Sequence, residues 1–331
     1  MGYSSNDPRN YLAIARQSAI GTEATTGFKF LRFLGDSGLD IGIEAESIYT
    51  GGDGQDHGLH YRTKTNPDGN AETFAWPDTF TYLTAWAMGS AAAIGTSVGI
   101  GTSIWTPNAT IPALTIEQAW GGGNQIHRVS DAILTGLNIS GAAGEPWRLS
   151  VPFIGGGTPY YRDGSASALT AVLESGDPAM YAGGAYLVNG ATELDLRSWN
   201  FNFTRGVDDD LRTTNTFRRK VIPLVRSLEV TGEMIWQDQA LWKRAQFGGG
   251  SVVPHTLATG SFHAERILTA SQMLAVDVPF MNFTEISVTP LQPDGETVLL
   301  NFTGKAVKAG TGICQIRSTH SAIGASAYLS P

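Results

Sequence analysis

The sequence repeats one pattern of aromatic, acidic and small residues, and this repeat restricts the folds open to the chain. Four residues recur at a shift of 160 (236 − 76): Trp76, Asp78, Ala85 and Gly89 match Trp236, Asp238, Ala245 and Gly249. The same shift moves Leu39, Ile41 and Ile43 onto Trp199, Phe201 and Phe203. A second shift of 149 (286 − 137) moves Leu137, Ile139, Leu149, Val151, Phe153 and Gly155 onto Ile286, Val288, Val298, Leu300, Phe302 and Gly304. Two sustained shifts predict a tandem duplication of one β-rich unit, which favours pseudo-symmetric assembly.

The decrease from one shift to the other helps to place the boundaries of the two units. The shift falls by 11 (160 − 149), which predicts a longer connection in the first copy, and the Gly-, Ala- and Thr-rich stretch 91–112 lies there. We therefore predict five segments: an N-terminal arm over 1–35, a first unit over 36–157, a connection over 158–192, a second unit over 193–309 and a C-terminal tail over 310–331.

Each unit opens with a strand whose two faces differ in polarity. Apolar positions 39, 41 and 43 alternate with polar ones, and positions 199, 201 and 203 do the same. A period of two predicts a strand with one dry and one wet face. The wet positions are Asp40, Glu44 and Glu46 in the first copy and Asn200, Asn202 and Thr204 in the second. Aromatic residues replace aliphatic ones on the dry face, so this face is predicted to be core.

A short helix is predicted after the second strand of each unit, which is expected at roughly 71–75 in the first copy and 228–236 in the second. Asp78 precedes a run of good helix formers as an N-cap, Phe80, Leu83 and Ala87 share one helical face, and Gly89 ends the helix. The second copy repeats this pattern over 238–247. The predicted fold class is mainly β, with two tandem antiparallel β-sandwich or roll units, each with one short flanking α-helix.

The composition argues against a protein that grips nucleic acid and against a secreted one. A net charge of −8 opposes binding to DNA phosphates, although a mildly repulsive wall suits DNA that must slide past it. Cys314 is the only cysteine, so no intrachain disulfide is expected. The N-terminus lacks the pattern of a signal peptide, and the apolar stretch 91–104 is too short to span a membrane. We therefore expect no membrane binding by the isolated subunit.

The motifs give no support for catalysis. His57 and His60 lie beside Asp53 and Asp56 in a glycine-rich stretch, but their spacing matches neither the His-x-x-x-His pair nor an EF-hand loop. The glycine triplets lack the Lys-Ser/Thr sequel of a phosphate loop, and no Gly-x-Ser-x-Gly elbow is present. We predict a non-enzymatic protein with no catalytic residue, cofactor or metal.

The two stretches that follow the opening strands are predicted to project from the units. Residues 48–66 are rich in turn formers and favour a long loop or a projecting hairpin, and 205–222 occupy the equivalent place in the second copy. These stretches hold the charged residues Asp53, Asp56, Asp208, Asp209, Asp210, Arg218, Arg219 and Lys220. Opposite charges at the same site favour contacts between subunits.

Four segments resemble the tail tube proteins of long-tailed, siphovirus-type bacteriophages. Residues 13–25 (AIARQSAIGTEAT) are similar to the entry arm of that family. Residues 134–141 (LTGLNISG), the Glu145-Pro146 turn and residues 151–156 (VPFIGG) are similar to its closing hairpin. The resemblance covers most of 11–157 and, through the repeat, 193–309.

The resemblance implies a fold, an assembly and a set of partners. The family fold is a β-sandwich with a flanking helix, and its inner sheets join across subunits into a β-barrel. Single-unit members are hexameric, so a two-unit chain implies trimeric, pseudo-sixfold rings stacked into a helical tube. The implied partners are the chain itself, the tape measure protein and phage DNA in the lumen, and the tail terminator and tail tip proteins. The implied location is the virion tail, with synthesis in the host cytoplasm.

This reading assigns expected roles to the residues singled out above. Asp40, Glu44, Glu46, Asn200, Asn202 and Thr204 are predicted to line the lumen. Asp53, Asp56, Asp208, Asp209, Asp210, Arg218, Arg219 and Lys220 are predicted to contact the next ring. Two alternatives stay open: a β-sandwich adhesin that binds glycans, with Tyr160, Tyr161 and Tyr181 as its aromatic candidates, and another virion structural protein. A secretion-system inner tube shares the same architecture.

Overall fold

The computed structural model describes most of the chain. The described residues are 10–35, 37–48, 59–89, 96–97, 102–120, 125–157, 159–163, 169, 173, 185–189, 192–211, 220–236, 242–243, 259–269, 272–288, 298–308 and 312–319. Between its named strands every pairing is antiparallel, as the alternation of apolar and polar residues predicts. The predicted mainly β, antiparallel fold class is confirmed.

The described residues form nineteen strands and one long helix. The elements of the first half are β1 (Tyr11–Arg16), β2 (Lys29–Leu31), β3 (Gly38–Ile48), β4 (Leu59–Phe74), α1 (Pro77–Met88), β5 (Thr96–Ser97), β6 (Thr102–Trp105), β7 (Leu114–Trp120), β8 (Gln125–Leu134), β9 (Gly136–Ala142), β10 (Arg148–Ile154) and β11 (Tyr160–Asp163). The elements of the second half are β12 (Ala185–Asn189), β13 (Thr192–Asp195), β14 (Ser198–Leu211), β15 (Lys220–Ile235), β16 (Thr259–Thr269), β17 (Gln272–Val288), β18 (Leu299–Ala306) and β19 (Gln315–Thr319).

One long sheet runs through both halves in the order β3-β4-β10-β9-β14-β15-β18-β17. Its apolar face is the dry face of the sequence pattern, and Leu39, Phe201 and Phe203 on it are at most 5% exposed. Burying alternate apolar residues of every strand on one side leaves polar residues on the other. The sheet therefore has one core face and one solvent face.

Two outer layers cover the apolar face, one for each half. The first layer has the order β2-β1-β7-β8-β11. The second has the order β13-β12-β16-β17-β19-β6-β5, in which β17 is shared with the long sheet. Both layers and the long sheet contribute to one hydrophobic core, to which Ile14, Phe153 and Val276 belong.

A glycine opposite a phenylalanine occurs at the same place in both halves of the long sheet. Gly69 on β4 pairs with Phe153, and a Cβ at Gly69 would overlap the Phe153 ring, with Cε2 of that ring at 2.7 Å. Gly232 on β15 pairs with Phe302, and a Cβ there would lie 2.6 Å from that ring. These two glycines are 163 positions apart (232 − 69). At this contact, β4 and β15 are therefore related by a shift of 163, and not by the shift of 160 that relates the tryptophans Trp76 and Trp236. In both halves a phenylalanine ring packs over backbone that carries no side chain.

The same contact explains why the start of β4 was predicted wrongly. The run Asn-Pro-Asp-Gly-Asn over 66–70 is typical of a turn, so the second strand was expected to begin near residue 71. Instead these residues lie inside β4, which pairs with β3 as one arm of a hairpin. Of the two alternatives for 48–66, the described residues therefore favour the projecting hairpin.

Helix α1 is a core element, and its start differs from the prediction. Trp76 is the N-cap residue and makes no side-chain capping bond, whereas Asp78 lies in the first turn, so the predicted Asp78 cap is wrong. Pro77 begins the helix with the preset φ that favours this position. Gly89 ends the helix as predicted, at φ 135°, where a Cβ would lie 2.7 Å from Asn108 Cβ. Of the second predicted helix over 238–247, only residues 242–243 are described.

In four further segments the strands differ from those assigned by the sequence analysis. The predicted arm 1–35 contains the buried strand β1, and the tail 310–331 contains β19. The stretch 91–112, predicted to be a longer connection of the first copy, contains β5 and β6. Residues Gln272–Val288 form one continuous strand, β17. The unit boundaries at 36–157 and 193–309 stay predictions.

A buried ionic cluster fixes the N-terminal segment to the first outer layer. Glu117 on β7 is 0% exposed, accepts a hydrogen bond from the Tyr11 hydroxyl and pairs with Arg128 on β8. Arg128 also pairs with Glu23, which accepts a 2.8 Å hydrogen bond from the Tyr160 hydroxyl. Burial, followed by the hydrogen bond to Glu117, raises the pKa of Tyr11. The buried charges therefore tie residues 11–23 to β7, β8 and β11.

We predict that Glu117→Gln destabilises the protein by about 3–5 kcal/mol, because Arg128 would keep its buried charge and lose its fully buried counter-ion. Urea unfolding followed by circular dichroism measures the change. Glu145→Gln is the control, since the Glu145–Arg148 pair is 4.0 Å long and more than half exposed, and it should change stability by less than about 0.5 kcal/mol. Equal stabilities of the two variants would contradict the assignment.

We also predict that Gly69→Ala destabilises the protein by about 2 kcal/mol or more, because the new Cβ overlaps the Phe153 ring and the backbone oxygen of Gly38. Gly42→Ala on the neighbouring strand is the matched control. Its Cβ would lie 3.5 Å from Asn66 O, an ordinary contact, so it should be neutral or stabilising by up to about 1 kcal/mol. Thermal unfolding compares the two variants, and an unchanged Tm for Gly69→Ala would refute the packing argument.

Candidate functional site

The solvent side of the long sheet is a continuous polar surface, called here the polar face. Its residues meet in rows that cross the strands, and one row runs from Ser140 on β9 through Asn200 on β14 and Thr231 on β15 to Thr303 on β18. The rows cross the joint between the two halves without interruption, because β9 and β14 pair over seven consecutive residues. The polar face is therefore a single surface built by both halves.

The predicted lumen-lining residues lie on this face wherever their side chains are described. Asp40 and Glu44 are exposed on β3, Asn200 and Asn202 are partly exposed on β14, and Thr204 is exposed farther along β14. The two sets are not neighbours, since β4, β10 and β9 separate β3 from β14. Glu46 lies beyond an irregularity in the β3–β4 pairing, and its side chain is outside the described part of the structure.

Other members of the face were missed from the sequence. Asp68 and Glu72 lie on β4, and Glu229 and Glu233 lie on β15, all at positions that alternate with buried ones. The alternation of polar residues from 64 to 72 was the available signal, but the turn-like run within it concealed the strand. The second strand of each half of the long sheet, β4 or β15, thus contributes acidic residues to the polar face.

Negative charge predominates on the described part of the polar face. Its acidic residues are Asp40, Glu44, Asp68, Glu72, Glu229, Glu233 and Glu285, and its basic residues are Lys64, Arg148 and Lys305. Seven acids against three bases leave a balance of −4 (3 − 7) for one chain. No group of three or more His, Cys, Asp or Glu side chains able to hold a metal ion occurs among the described residues. The face can repel anions, and amides and hydroxyls separate its charges.

The predicted inter-ring residues lie at the far end of the β14–β15 hairpin, so far as they are described. Asp208 is exposed and pairs with Ile222, and Leu211 pairs with Lys220. Asp209 and Asp210 follow within β14, so the aspartates and Lys220 occupy one end of the hairpin. Asp53, Asp56, Arg218 and Arg219 lie outside the described residues.

Exposed apolar residues lie on the same hairpin, at a site that sequence reasoning did not identify. Leu224 is 54% and Val225 84% exposed, opposite Gly206, where the β14–β15 pairing is irregular. Large apolar side chains in water favour contact with another surface. The hairpin therefore presents both charged and apolar groups beyond the sheet.

Arg205 connects the two halves and was also missed. It lies on β14, is 3% exposed and donates a 2.8 Å hydrogen bond to the Asn108 carbonyl, just beyond α1. A second, longer bond of 3.4 Å reaches the Ala87 carbonyl in the last turn of α1. Burial, with a contribution from Arg226, lowers the pKa of Arg205 to about 10. A cation at this end of α1 is favoured by the helix dipole.

A second polar cluster lies on the outer layer of the second half. His263 Nδ1 lies 2.5 Å from Asp277 Oδ1, and Arg317 Nε donates a 2.8 Å hydrogen bond to Asp277 Oδ2. Burial alone would raise the pKa of Asp277, but His263 and Arg317 outweigh it and lower the pKa. The His263–Asp277 hydrogen bond and the Arg317–Asp277 ion pair thus tie β16, β17 and β19 together.

Comparison with known proteins gives a family for the chain. None of the helices described is long and apolar enough to cross a membrane. No curated protein matches the chain. A family model described as phage tail tube protein matches residues 8–310, which include both halves of the long sheet and both outer layers up to β18. The chain therefore belongs to the phage tail tube protein family.

Proposed function

We propose that three copies of this chain close into a ring and that such rings stack into a siphovirus-type tail tube around a DNA-conducting lumen. Membership of the family makes the chain a structural protein of the virion tail. The observation that carries the finer proposal is the pairing of β9 with β14, which joins the two halves into one sheet. This joint is an internal example of how units pack side by side.

The order of the strands supports a duplicated unit. The sheet order β3-β4-β10-β9 in the first half corresponds to β14-β15-β18-β17 in the second. The outer layers also correspond, with β1, β7, β8 and β11 matched by β12, β16, the start of β17, and β19. Chance does not readily produce the same order in two layers, so these observations favour two copies of one unit.

The outer edges of the long sheet indicate how a ring closes. β3 has the place in the first half that β14 has in the second, and the end of β17 has the place of β9. In the described residues, neither β3 nor the end of β17 pairs with a strand on its outer side. Unpaired edges favour the addition of another strand. We infer that the β17 end of one chain pairs with β3 of the next, as β9 pairs with β14. Single-unit members of the family form hexamers, so two units per chain give three chains.

In such a ring the polar face surrounds the lumen. Seven acidic and three basic residues per described chain would then face the DNA. Since charges act over about 8 Å at physiological ionic strength, a net acidic wall repels phosphates that come near it. Because acidic residues outnumber basic ones on the described part of the face, DNA can pass without being retained.

The hairpin ends and exposed apolar residues are suited to contacts between rings. Asp208, Asp209, Asp210 and Lys220 on the β14–β15 hairpin, together with Asp53, Asp56, Arg218 and Arg219, are proposed to meet the adjacent ring. The remaining proposed partners are the tape measure protein and phage DNA, with the tail terminator and tail tip proteins at the ends. The role is structural, in the virion and in genome ejection, and synthesis takes place in the host cytoplasm.

Electron microscopy tests the assembly. The purified protein is expected to polymerise into hollow tubes whose end views show three chains per ring and pseudo-sixfold outlines. Two results would refute the proposal: globular monomers under all salt conditions, or rings that contain six chains. An adhesin would give monomers that bind glycans, and a decoration or capsid protein would give closed assemblies without open ends.

Reversing charge on the polar face tests the lumen. Asp40→Lys with Glu229→Lys should make assembled tubes retain short duplex DNA, with an affinity that falls steeply with salt, because two charges change sign and the net charge of each chain rises by about four units. Asp195→Lys, at an exposed position on β13 in an outer layer, is the control for Asp40→Lys alone, because each single variant changes the charge by two units, and the control should leave DNA retention low. Cosedimentation of labelled duplex with tubes measures all three variants. Equal retention by Asp40→Lys and Asp195→Lys would exclude a DNA-facing role for the polar face.

A further inference from the structure

A strand from the first half extends the outer layer of the second half. β6 pairs with β19, with Trp105 opposite Ile316, and both side chains are 0% exposed. The Trp105 indole lies 3.4 Å from the Ser318 hydroxyl, to which it can donate a hydrogen bond. β6 belongs to the stretch 91–112, the stretch by which the first half is longer than the second. The outer edge of β19 is thus covered by a neighbouring half of the same chain.

The first half has a matching edge at β11. β11 follows the last strand of its part of the long sheet, as β19 does, and β11 pairs with β8 as β19 pairs with the start of β17. In the described part of the structure no strand pairs with the other edge of β11. Among the described residues, no strand of the first half therefore occupies the position that β6 fills in the second.

An aromatic row marks this open edge. Tyr161 on β11 is 51% exposed, and its ring lies 5.2 Å from the ring of His127, its partner on β8. His127 in turn lies 4.6 Å from the ring of Trp120 on β7. At the matching place in the second half, Ile316 on β19 is covered completely. The Tyr161 ring is the half-exposed end of a row of aromatic rings that continues into the outer layer. Such a ring favours burial against another chain.

We propose that the edge of β11 around Tyr161 binds a second copy of this chain within the same ring, and that the contacting part is the second half of that neighbour. The inference rests on the proposed ring. Inside one chain the first half covers the edge of the second. Around the ring the second half of one chain precedes the first half of the next, so the cover of β11 comes from a second half. The outer layers then form a second seam beside the seam of the long sheet.

Photo-cross-linking tests this contact. With benzoylphenylalanine in place of Tyr161, irradiation of assembled tubes should give chain-to-chain dimers, and mass spectrometry should find the linked peptide within 193–309. Dissociated subunits should give no dimers. Intrachain products alone, or links to residues 1–157 of another chain, would overturn the proposal.

A matched pair of substitutions gives an independent measurement. Tyr161→Asp should raise the protein concentration needed for tube formation by about tenfold or more, since a charge would be buried in the seam. Tyr161→Phe, which keeps the ring, should leave that concentration unchanged, and circular dichroism should show both variants folded. If tubes form normally with Tyr161→Asp, the β11 contact is wrong and the proposed function stands. If the unmodified protein never forms rings, the proposed function itself fails.

Discussion

The hydrogen-bonded joint between β9 and β14 is the interaction on which the rest of the structure depends. An edge strand of an open sheet exposes a row of unpaired backbone groups, and a natural protein must cover or pair them. Here two such edges pair with each other over seven residues, so the two halves form one sheet with one core face and one polar face. Only the ends of that sheet, at β3 and at the end of β17, then need a partner. The covalent link between the halves makes the first joint intramolecular, so its formation does not depend on protein concentration.

The sequence predicts this sheet well wherever a local period decides the structure. The alternation around Leu39 and Phe201 correctly separates the buried face from the exposed one, because a period of two directly reports which side a residue lies on. The same reasoning fails at 66–70, since Pro-Asp-Gly favours a turn by local preference. Tertiary packing decides otherwise, because the Phe153 ring needs the space above Gly69. The Asp78 cap fails for a similar reason, since Pro77 already supplies a helix start. The sequence correctly predicts that the polar face carries acidic and amide groups, but it identifies only some of the residues that form this face.

The remaining features join residues that are far apart in the chain, and no local pattern encodes such partners. Trp105 and Ile316 meet across 211 positions (316 − 105), and Arg205 reaches the end of α1 from the other half. Glu117 would be read as a solvent-facing residue of a strand, yet it is fully buried because Tyr11 and Arg128 satisfy it. An N-terminal segment that looked like a free arm is held in place by these charges. Burial of a charged group is decided by its partners, and its partners are decided by the topology.

Duplication also allows the two kinds of joint in the proposed ring to differ. Arg205 fixes the end of α1 at the joint inside the chain, but the residue at the matching position of the first half (205 − 160) is Ala45, which cannot make those hydrogen bonds. The outer layers differ in the same sense, because β6 pairs with β19, whereas no described strand pairs with the corresponding edge of β11. A ring of six identical units must use one interface for every joint. In a ring of three duplicated chains, the internal joint can carry a buried cation and an added strand, and the external joint can stay weaker. Weak joints that are corrected during growth favour an ordered tube, whereas the strong joint is supplied when each chain folds.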